Sequence, residues 1–256
     1  MSASDPLIGA AAETRKVERP QNWKEAGDSG WAQPVYDSDT QRRAIQRDFL
    51  TKVYGILAVQ LLFTCALCAV FMFVEPIQYF VVGNIWFTLL LFVLAIANLI
   101  ALFFCKNMYP WNFWLLGSFT LVMGSMTATI CAVYAAHGLG QNVAVGAAIT
   151  LFVFVGLTIF VQMSDIDFSF MGLFLPVCLL VLIFWMMALV IFGFSGGLLL
   201  GGIGVLLFSA FIIYDTWMIM NRMGCDDYII AAIELYLDVI NIFSFMMMLM
   251  GGGDVG

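Results

Sequence analysis

Charge is the scarcest property of this 256-residue chain. Charged residues make up only 11% of the sequence, and a single histidine is present. Soluble domains carry about 25% charged and about 45–50% apolar residues, whereas hydrophobic residues reach 63% here. The ten Lys and Arg residues are outnumbered by 17 Asp and Glu, and the net charge of −7 argues against nucleic-acid binding. The composition therefore predicts a polytopic membrane protein.

Other familiar signals are also lacking. The six cysteines are scattered, mostly within apolar runs, so we expect reduced packing thiols rather than a disulfide framework. Residues 1–48 contain no apolar segment of the kind that a cleavable signal peptide needs. Because this segment is polar, with mixed charges and three prolines, we expect a disordered cytosolic tail. The chain shows no Gly-rich nucleotide loop and no nucleophile motif, and we expect no cofactor.

Long apolar runs dominate the rest of the chain. Seven of them are long enough to cross a bilayer at ~1.5 Å per residue. They cover residues 50–73, 85–105, 111–135, 142–163, 170–193, 197–220 and 229–250. Short breaks between the runs indicate that sequence neighbours pack as antiparallel neighbours. We therefore predict an all-α seven-helix membrane bundle over 49–250, with a central C-terminal helix and a short end at 251–256.

The positive charges indicate an orientation. Under this span count all ten Lys and Arg residues fall on the side of the N-terminus. Eight precede or open the first span, while Lys106 follows the second span and Arg222 follows the sixth. By the positive-inside rule the N-terminus is predicted to be cytosolic and the C-terminus to lie on the opposite side.

Two carboxylates lie where a membrane helix rarely has any. Asp215 occurs in FIIYDTWMIM and Asp238 in IELYLDVINIF, within the sixth and seventh runs. A charged side chain in hydrocarbon costs at least ~2.5–3.5 kcal/mol, so such residues usually face the protein interior and mark a site. In a helical hairpin they would lie about 9 Å and about 13 Å from the cytosolic ends of their helices. We therefore expect the two side chains to meet, with Glu234 one turn away on the same face.

A pair of acids in contact has a defined chemistry. Two such carboxylates cannot easily both ionise, so they tend to share a proton and titrate as a unit in two steps. Asp215 and Asp238 are therefore candidates for a pH sensor. When both are ionised, their hard oxygen ligands suit Ca²⁺. The alternative is a hydrogen-bonded network that only holds the hairpin together.

Five segments resemble the transmembrane Bax-inhibitor-motif family, closest to its lifeguard branch. The YDT and LYLDVIN blocks in consecutive spans make this resemblance specific, and it extends over about 42–250. The segments are RDFLTKVYGILAVQLLFT (47–64), MYPWNFWLLGSFTL (108–121), DFSFMG (167–172), LFSAFIIYDTWMIM (207–220) and DYIIAAIELYLDVINIF (227–243).

The resemblance implies a function. It implies a pH-sensitive calcium leak in internal membranes, either endoplasmic reticulum or Golgi, and suppression of stress-induced cell death. The family's di-aspartyl sensor falls on Asp215 and Asp238, and a basic gating partner aligns with Lys106. Calcium would be the transported ion rather than a cofactor. Beyond the lipid bilayer and calcium, the candidate partners are Bcl-family or other membrane proteins. Many family members have a polar residue at the position that Trp217 occupies in this chain. We expect Trp217 either to narrow the exit of the ion path or to anchor its helix at the membrane interface.

Other functions remain open. Intramembrane aspartyl proteases also place two aspartates on consecutive spans, but Asp238 follows Leu-Tyr-Leu rather than Gly-x-Gly, and no Pro-Ala-Leu follows. We therefore do not expect an enzyme. A proton-coupled transporter lacks support because no inverted repeat or pair of broken spans is visible. The main alternative is a non-conducting membrane scaffold that modulates death-pathway or ion-channel partners.

Overall fold

A computed structural model describes residues 38–105, 108–193, 196–224 and 227–251. Its regular secondary structure over these ranges consists of eight helices. They are α1 (Ser38–Phe73), α2 (Glu75–Gly83), α3 (Ile85–Cys105), α4 (Trp111–Ala136), α5 (Gly140–Met163), α6 (Met171–Phe192), α7 (Gly197–Asn221) and α8 (Tyr228–Met250).

Seven of these described helices are long and apolar enough to cross a membrane. This confirms the predicted all-α membrane bundle. The remaining helix, α2, was not predicted, because it lies in the break between the apolar runs 50–73 and 85–105. Proline is tolerated in the first turn of a helix, where its missing N–H has no intrahelical partner anyway, and Pro76 occupies that turn of α2. Glu75 also lies in the first turn, where a negative charge is favourable.

The N-terminal boundary differs from the expected one. Helix α1 begins at Ser38, so the described part of the predicted tail 1–48 is helical. Only from Gln46 onward is α1 apolar enough to span a bilayer. The remainder of the predicted tail and the end at 252–256 lie outside the described residues. The described residues from Arg43 onward form one compact unit, and the description below concerns this unit.

The C-terminal helix α8 lies at the centre of the bundle, as predicted. In α8 and in α4, 61% of the most apolar 18-residue stretch is buried inside the protein. The buried share of the corresponding stretch of α6 is 11%. Helix α8 packs against α4, α5 and α7, and its contact with α7 is the most extensive between any two described helices. Leu235, Tyr236, Ile242 and Met247 on α8 are fully buried. Helix α6 lies at the periphery and packs chiefly against α7.

Glycines allow the close approach of α7 to α8. A Cβ atom at Gly201 would lie 3.0 Å from the carbonyl oxygen of Phe245 and 3.1 Å from the backbone nitrogen of Leu249. A Cβ atom at Gly204 would overlap the ring of Phe245. Small residues at membrane helix interfaces let backbones approach in this way. Gly201 and Gly204 both have this role at the contact between α7 and α8.

We expect Gly204→Ala to destabilise the bundle by ~1–3 kcal/mol, because overpacking forces side-chain and backbone shifts. Gly202→Ala is the matched control, since its Cβ would make only an ordinary 3.6 Å contact with Leu249 Cδ1. Thermal unfolding of both variants in one detergent measures the difference. Equal unfolding temperatures for the two alanine variants would contradict the proposed role of Gly204.

Hydrogen bonds near the helix ends identify the two ends of the bundle. At one end Gln46 Nε2 donates to the carbonyl oxygen of Met220 at 2.6 Å. Asp167 lies at the same end, where the backbone N–H of Ser169 donates to its Oδ1 at 2.9 Å. This bond, with a smaller effect from Arg222, holds the pKa of Asp167 below its ordinary value. We call this the Arg222 end.

The connection between α4 and α5 lies at the opposite end. There the hydroxyl of Tyr134 donates to the carbonyl oxygen of Met247 at 2.6 Å. His137 ends α4 at this side and is exposed. We call this the His137 end. The chain thus alternates between ends as a seven-span bundle requires.

Candidate functional site

The hairpin of α7 and α8 brings the two intramembrane acids together. The carboxyl groups of Asp215 and Asp238 lie within hydrogen-bonding reach of each other. Asp215 is 9% exposed and Asp238 is 4% exposed. Their meeting follows from the antiparallel arrangement, because both side chains lie at similar depth from the Arg222 end.

One carboxylate oxygen of the pair has no hydrogen-bond donor among the described groups. Oδ2 of Asp238 is buried and receives no hydrogen bond from any described N–H or side-chain hydroxyl. A buried acceptor without a donor is costly, and two ionised carboxylates at this distance would also repel each other. A proton held between Asp215 and Asp238 removes the repulsion between the two carboxylates. The arrangement therefore favours a pair that carries one shared proton.

The acid pair faces a cavity of about 500 Å³ between α6, α7 and α8. Nine of its 13 lining residues are apolar or aromatic. The four polar ones are Asp215, Glu234, Asp238 and Asn241. Polar groups are thus concentrated on the hairpin of α7 and α8, while the residues that α6 contributes, such as Leu182, are apolar.

Helical spacing explains which residues of α8 join the site. Glu234 precedes Asp238 by four residues and Asn241 follows it by three, so all three lie on one face. Glu234 is half-buried and lies nearer to the Arg222 end than Asp238 does. Sequence reasoning missed Asn241, although its spacing from Asp238 in LDVIN was a usable signal. It also missed Tyr214, whose ring lines the cavity beside Asp215.

Two further sequence candidates lie elsewhere. Lys106, the predicted gating partner, is outside the described residues. Trp217 is buried and packs with Val161 and Phe168, while the guanidinium of Arg222 lies 5.2 Å from its ring centre. It is not among the residues that line the cavity. Trp217 therefore fastens α7 to its neighbours near the Arg222 end and does not narrow the space in front of the acid pair.

The chemistry of the site is that of hard oxygen donors. Asp215 and Asp238 together offer carboxylate oxygens of the kind that Ca²⁺ prefers. Within the described ranges, no group of three or more His, Cys, Asp or Glu side chains is placed to hold a metal ion.

A second set of polar groups lies inside the bundle. The hydroxyls of Tyr54, Thr158 and Thr216 are buried near one another, although none has a hydrogen bond of good geometry. Thr64 and Tyr236 share a hydrogen bond of 2.7 Å across α1 and α8. Since Thr216 follows Asp215 directly, α7 presents the acid to the cavity and a hydroxyl to the interior.

Comparisons with known proteins agree with this architecture. Residues 46–255 match the family model described as "Inhibitor of apoptosis-promoting Bax1". The chain is 34% identical to Protein lifeguard 3 of Homo sapiens over 221 residues, which cover 82% of this chain and 70% of that protein. It is 33% identical to the Golgi anti-apoptotic protein of Vaccinia virus (strain Lister) over 207 residues, 80% of this chain and 86% of that one.

A plant relative is similar over a still larger share of its length. Protein LIFEGUARD 4 of Arabidopsis thaliana is 32% identical over 227 residues, which cover 86% of this chain and 90% of that protein. None of these three names describes an enzyme. The family match covers all seven spanning helices, and the similarity to lifeguard proteins confirms the resemblance that the YDT and LYLDVIN blocks indicated. The chain therefore belongs to the Bax-inhibitor-motif family of membrane proteins.

Proposed function

We propose that this protein is a passive, pH-sensitive calcium leak of an internal membrane, and that the leak serves to suppress cell death. The observation that carries the proposal is the buried contact between Asp215 and Asp238 on consecutive spanning helices. Intramembrane acids are costly and usually functional. The names of the relatives, lifeguard and Golgi anti-apoptotic protein, support the anti-apoptotic role and an endomembrane location.

The acid pair supplies the gate in this proposal. In the resting state a shared proton holds α7 and α8 together near the Arg222 end. Loss of that proton leaves two like charges in contact, and a low-dielectric site screens their repulsion poorly. The hairpin then loosens, or one acid turns to Lys106, so pH sets the population of conducting molecules. Glu234 lies on the route to the pair and raises the local concentration of cations.

A non-conducting scaffold is the second candidate function. It is favoured by the names of the relatives, which describe protection from cell death without mentioning transport. The test that separates the two functions is calcium efflux from liposomes that contain only this protein. We expect efflux above that of protein-free liposomes, without nucleotide or a partner. Efflux equal to that of empty liposomes across the whole pH range would reject the leak and leave the scaffold.

The proposal also assigns an orientation, with the Arg222 end in the cytosol. Asp165 and His137 are exposed residues at opposite ends of the bundle, so a cysteine at either position reports its own side. In cells with a permeabilised plasma membrane, and in a variant whose six native cysteines are replaced by alanine, we expect an impermeant maleimide to label Asp165→Cys. We expect His137→Cys to stay unlabelled until detergent is added. Labelling of both positions from the same face would contradict the seven-span arrangement.

A further inference from the structure

The cavity beside the acid pair opens towards the lipid. Helix α6 packs chiefly against α7 and makes no extensive contact with α8, which leaves a lateral gap between α6 and α8. Ile183 and Met186 on α6 line the cavity and are 38% and 42% exposed, so they form its rim. Leu182 and Asp238 line it as well and are buried, so they form its floor. A molecule dissolved in the bilayer can therefore reach the carboxylates from the side.

The cavity is divided into a charged part and an apolar part. At the floor, Oδ2 of Asp238 is buried and has no donor among the described groups. Asp215, Glu234 and Asn241 lie around it. The apolar part includes Phe208, whose ring stacks on Phe245 with centres 5.7 Å apart. The volume of about 500 Å³ lies within the ~300–1,000 Å³ typical of small-molecule sites.

We propose that this cavity binds a single-chain lipid amine, with its ammonium group at Asp215 and Asp238 and its alkyl chain between α6 and α8. An ammonium group has three donors and one positive charge, which match the two carboxylates and the amide oxygen of Asn241. Such charge-assisted hydrogen bonds are roughly twice as strong as neutral ones. The donor that Asp238 lacks is thus supplied by the ligand.

Other membrane-soluble ligands fit less well. A phospholipid headgroup carries a phosphate, and no Lys, Arg or His is among the lining residues of the described cavity to neutralise it. A fatty alcohol or a sterol offers one neutral hydroxyl donor and leaves the acids without a countercharge. A hydrated calcium ion gains no favourable contact from the aromatic and aliphatic side chains that line most of the cavity. Charge and shape together therefore select an amine that carries one long chain.

The test is saturable binding of radiolabelled octadecylamine to the purified protein in phosphatidylcholine nanodiscs. Empty nanodiscs give the background from simple partition into lipid. We expect unlabelled octadecylamine to compete and octadecanol of the same chain length to compete at least about tenfold more weakly, because the alcohol lacks the charged hydrogen bonds. Absence of saturable binding above empty nanodiscs, or equal competition by the alcohol, would overturn the proposal.

Two variants locate the site independently of each other. Met186→Trp fills the rim without touching the acids, and Met187→Trp is its control, because Met187 is exposed on α6 but does not line the cavity. We expect binding to weaken at least about tenfold in Met186→Trp and in Asp238→Asn, since one blocks entry and the other removes a charged acceptor. Met187→Trp should bind as the wild type does. Wild-type affinity in either of the first two variants would overturn the proposed location.

The octadecylamine binding assay does not depend on calcium flux. The amine site and the calcium leak can therefore fail separately, and a protein that conducts no calcium could still bind octadecylamine.

Discussion

Asp215→Asn and Asp238→Asn are each expected to abolish the pH response of calcium efflux from liposomes. In the wild type, efflux should rise with pH as the pair loses its shared proton. Asparagine keeps the shape of aspartate but cannot titrate, and its amide N–H can donate to the remaining carboxylate at any pH. Each variant should therefore show low efflux that varies little with pH. The measurement is initial efflux rate against pH at constant calcium gradient.

The double variant and Glu234→Gln are the controls for this experiment. Since Asp215 and Asp238 act as one titrating unit, the double variant should add little to either single change. Glu234 lines the same cavity outside the contact between the pair, so Glu234→Gln should lower efflux modestly and keep the pH response. If the Asp215→Asn curve retains the wild-type midpoint and steepness, the pair is structural and the proposed gate is wrong.

The position of the pair within the hairpin shows how a local charge change can act on α7 and α8. Gly204 holds the two helices in close contact and lies ~16 Å along α7 from Asp215, at ~1.5 Å per residue. The hairpin is thus joined by the packing of the Phe245 ring against Gly204 towards the His137 end and by the acid contact towards the Arg222 end. Loss of the shared proton weakens only the contact between Asp215 and Asp238. Movement is therefore expected near the Arg222 end, while the glycine contact persists.

Several features of the fold could be predicted from the sequence, because bilayer thickness imposes a length and an apolar composition on each span. The same constraint made Asp215 and Asp238 stand out and allowed their depths to be matched. Helix α2 was missed because its Glu-Pro start resembles a turn. The close contact at Gly201 and Gly204 depends on how α7 is rotated against α8, which tertiary packing determines.

The cavity could not be predicted from the sequence for a similar reason. Leu182 and Met186 on α6 belong to an apolar run in which every residue is compatible with lipid. Only the packing of α6 against α7, away from α8, leaves a space in front of Asp238. Asn241 was within reach of sequence reasoning, because helical spacing alone places it on the face of Asp238. The acids of the site were therefore predictable, and the walls that determine its ligands were not.

Selectivity for calcium over chloride is the second large effect that the acid site predicts. We expect the wild type to pass calcium at least about tenfold faster than chloride, a ratio equivalent to ~1.4 kcal/mol. A unit charge 4 Å from another contributes ~4 kcal/mol near a protein surface, so the repulsion of an anion by a single ionised acid exceeds this requirement. Carboxylate oxygens in a narrow path also favour cations.

The selectivity should depend on the acids of the cavity rather than on total negative charge. Combined neutralisation of Asp215, Asp238 and Glu234 to the matching amides is expected to bring the two rates within about threefold, because the field at the cavity is then removed. Asp165→Asn removes an exposed charge outside the cavity, where solvent screens it, and should leave the ratio unchanged. Parallel calcium and chloride flux assays on the same liposomes measure the ratio. Equal rates in the wild type, or an equal change in Asp165→Asn, would show that the acid pair does not line the ion path.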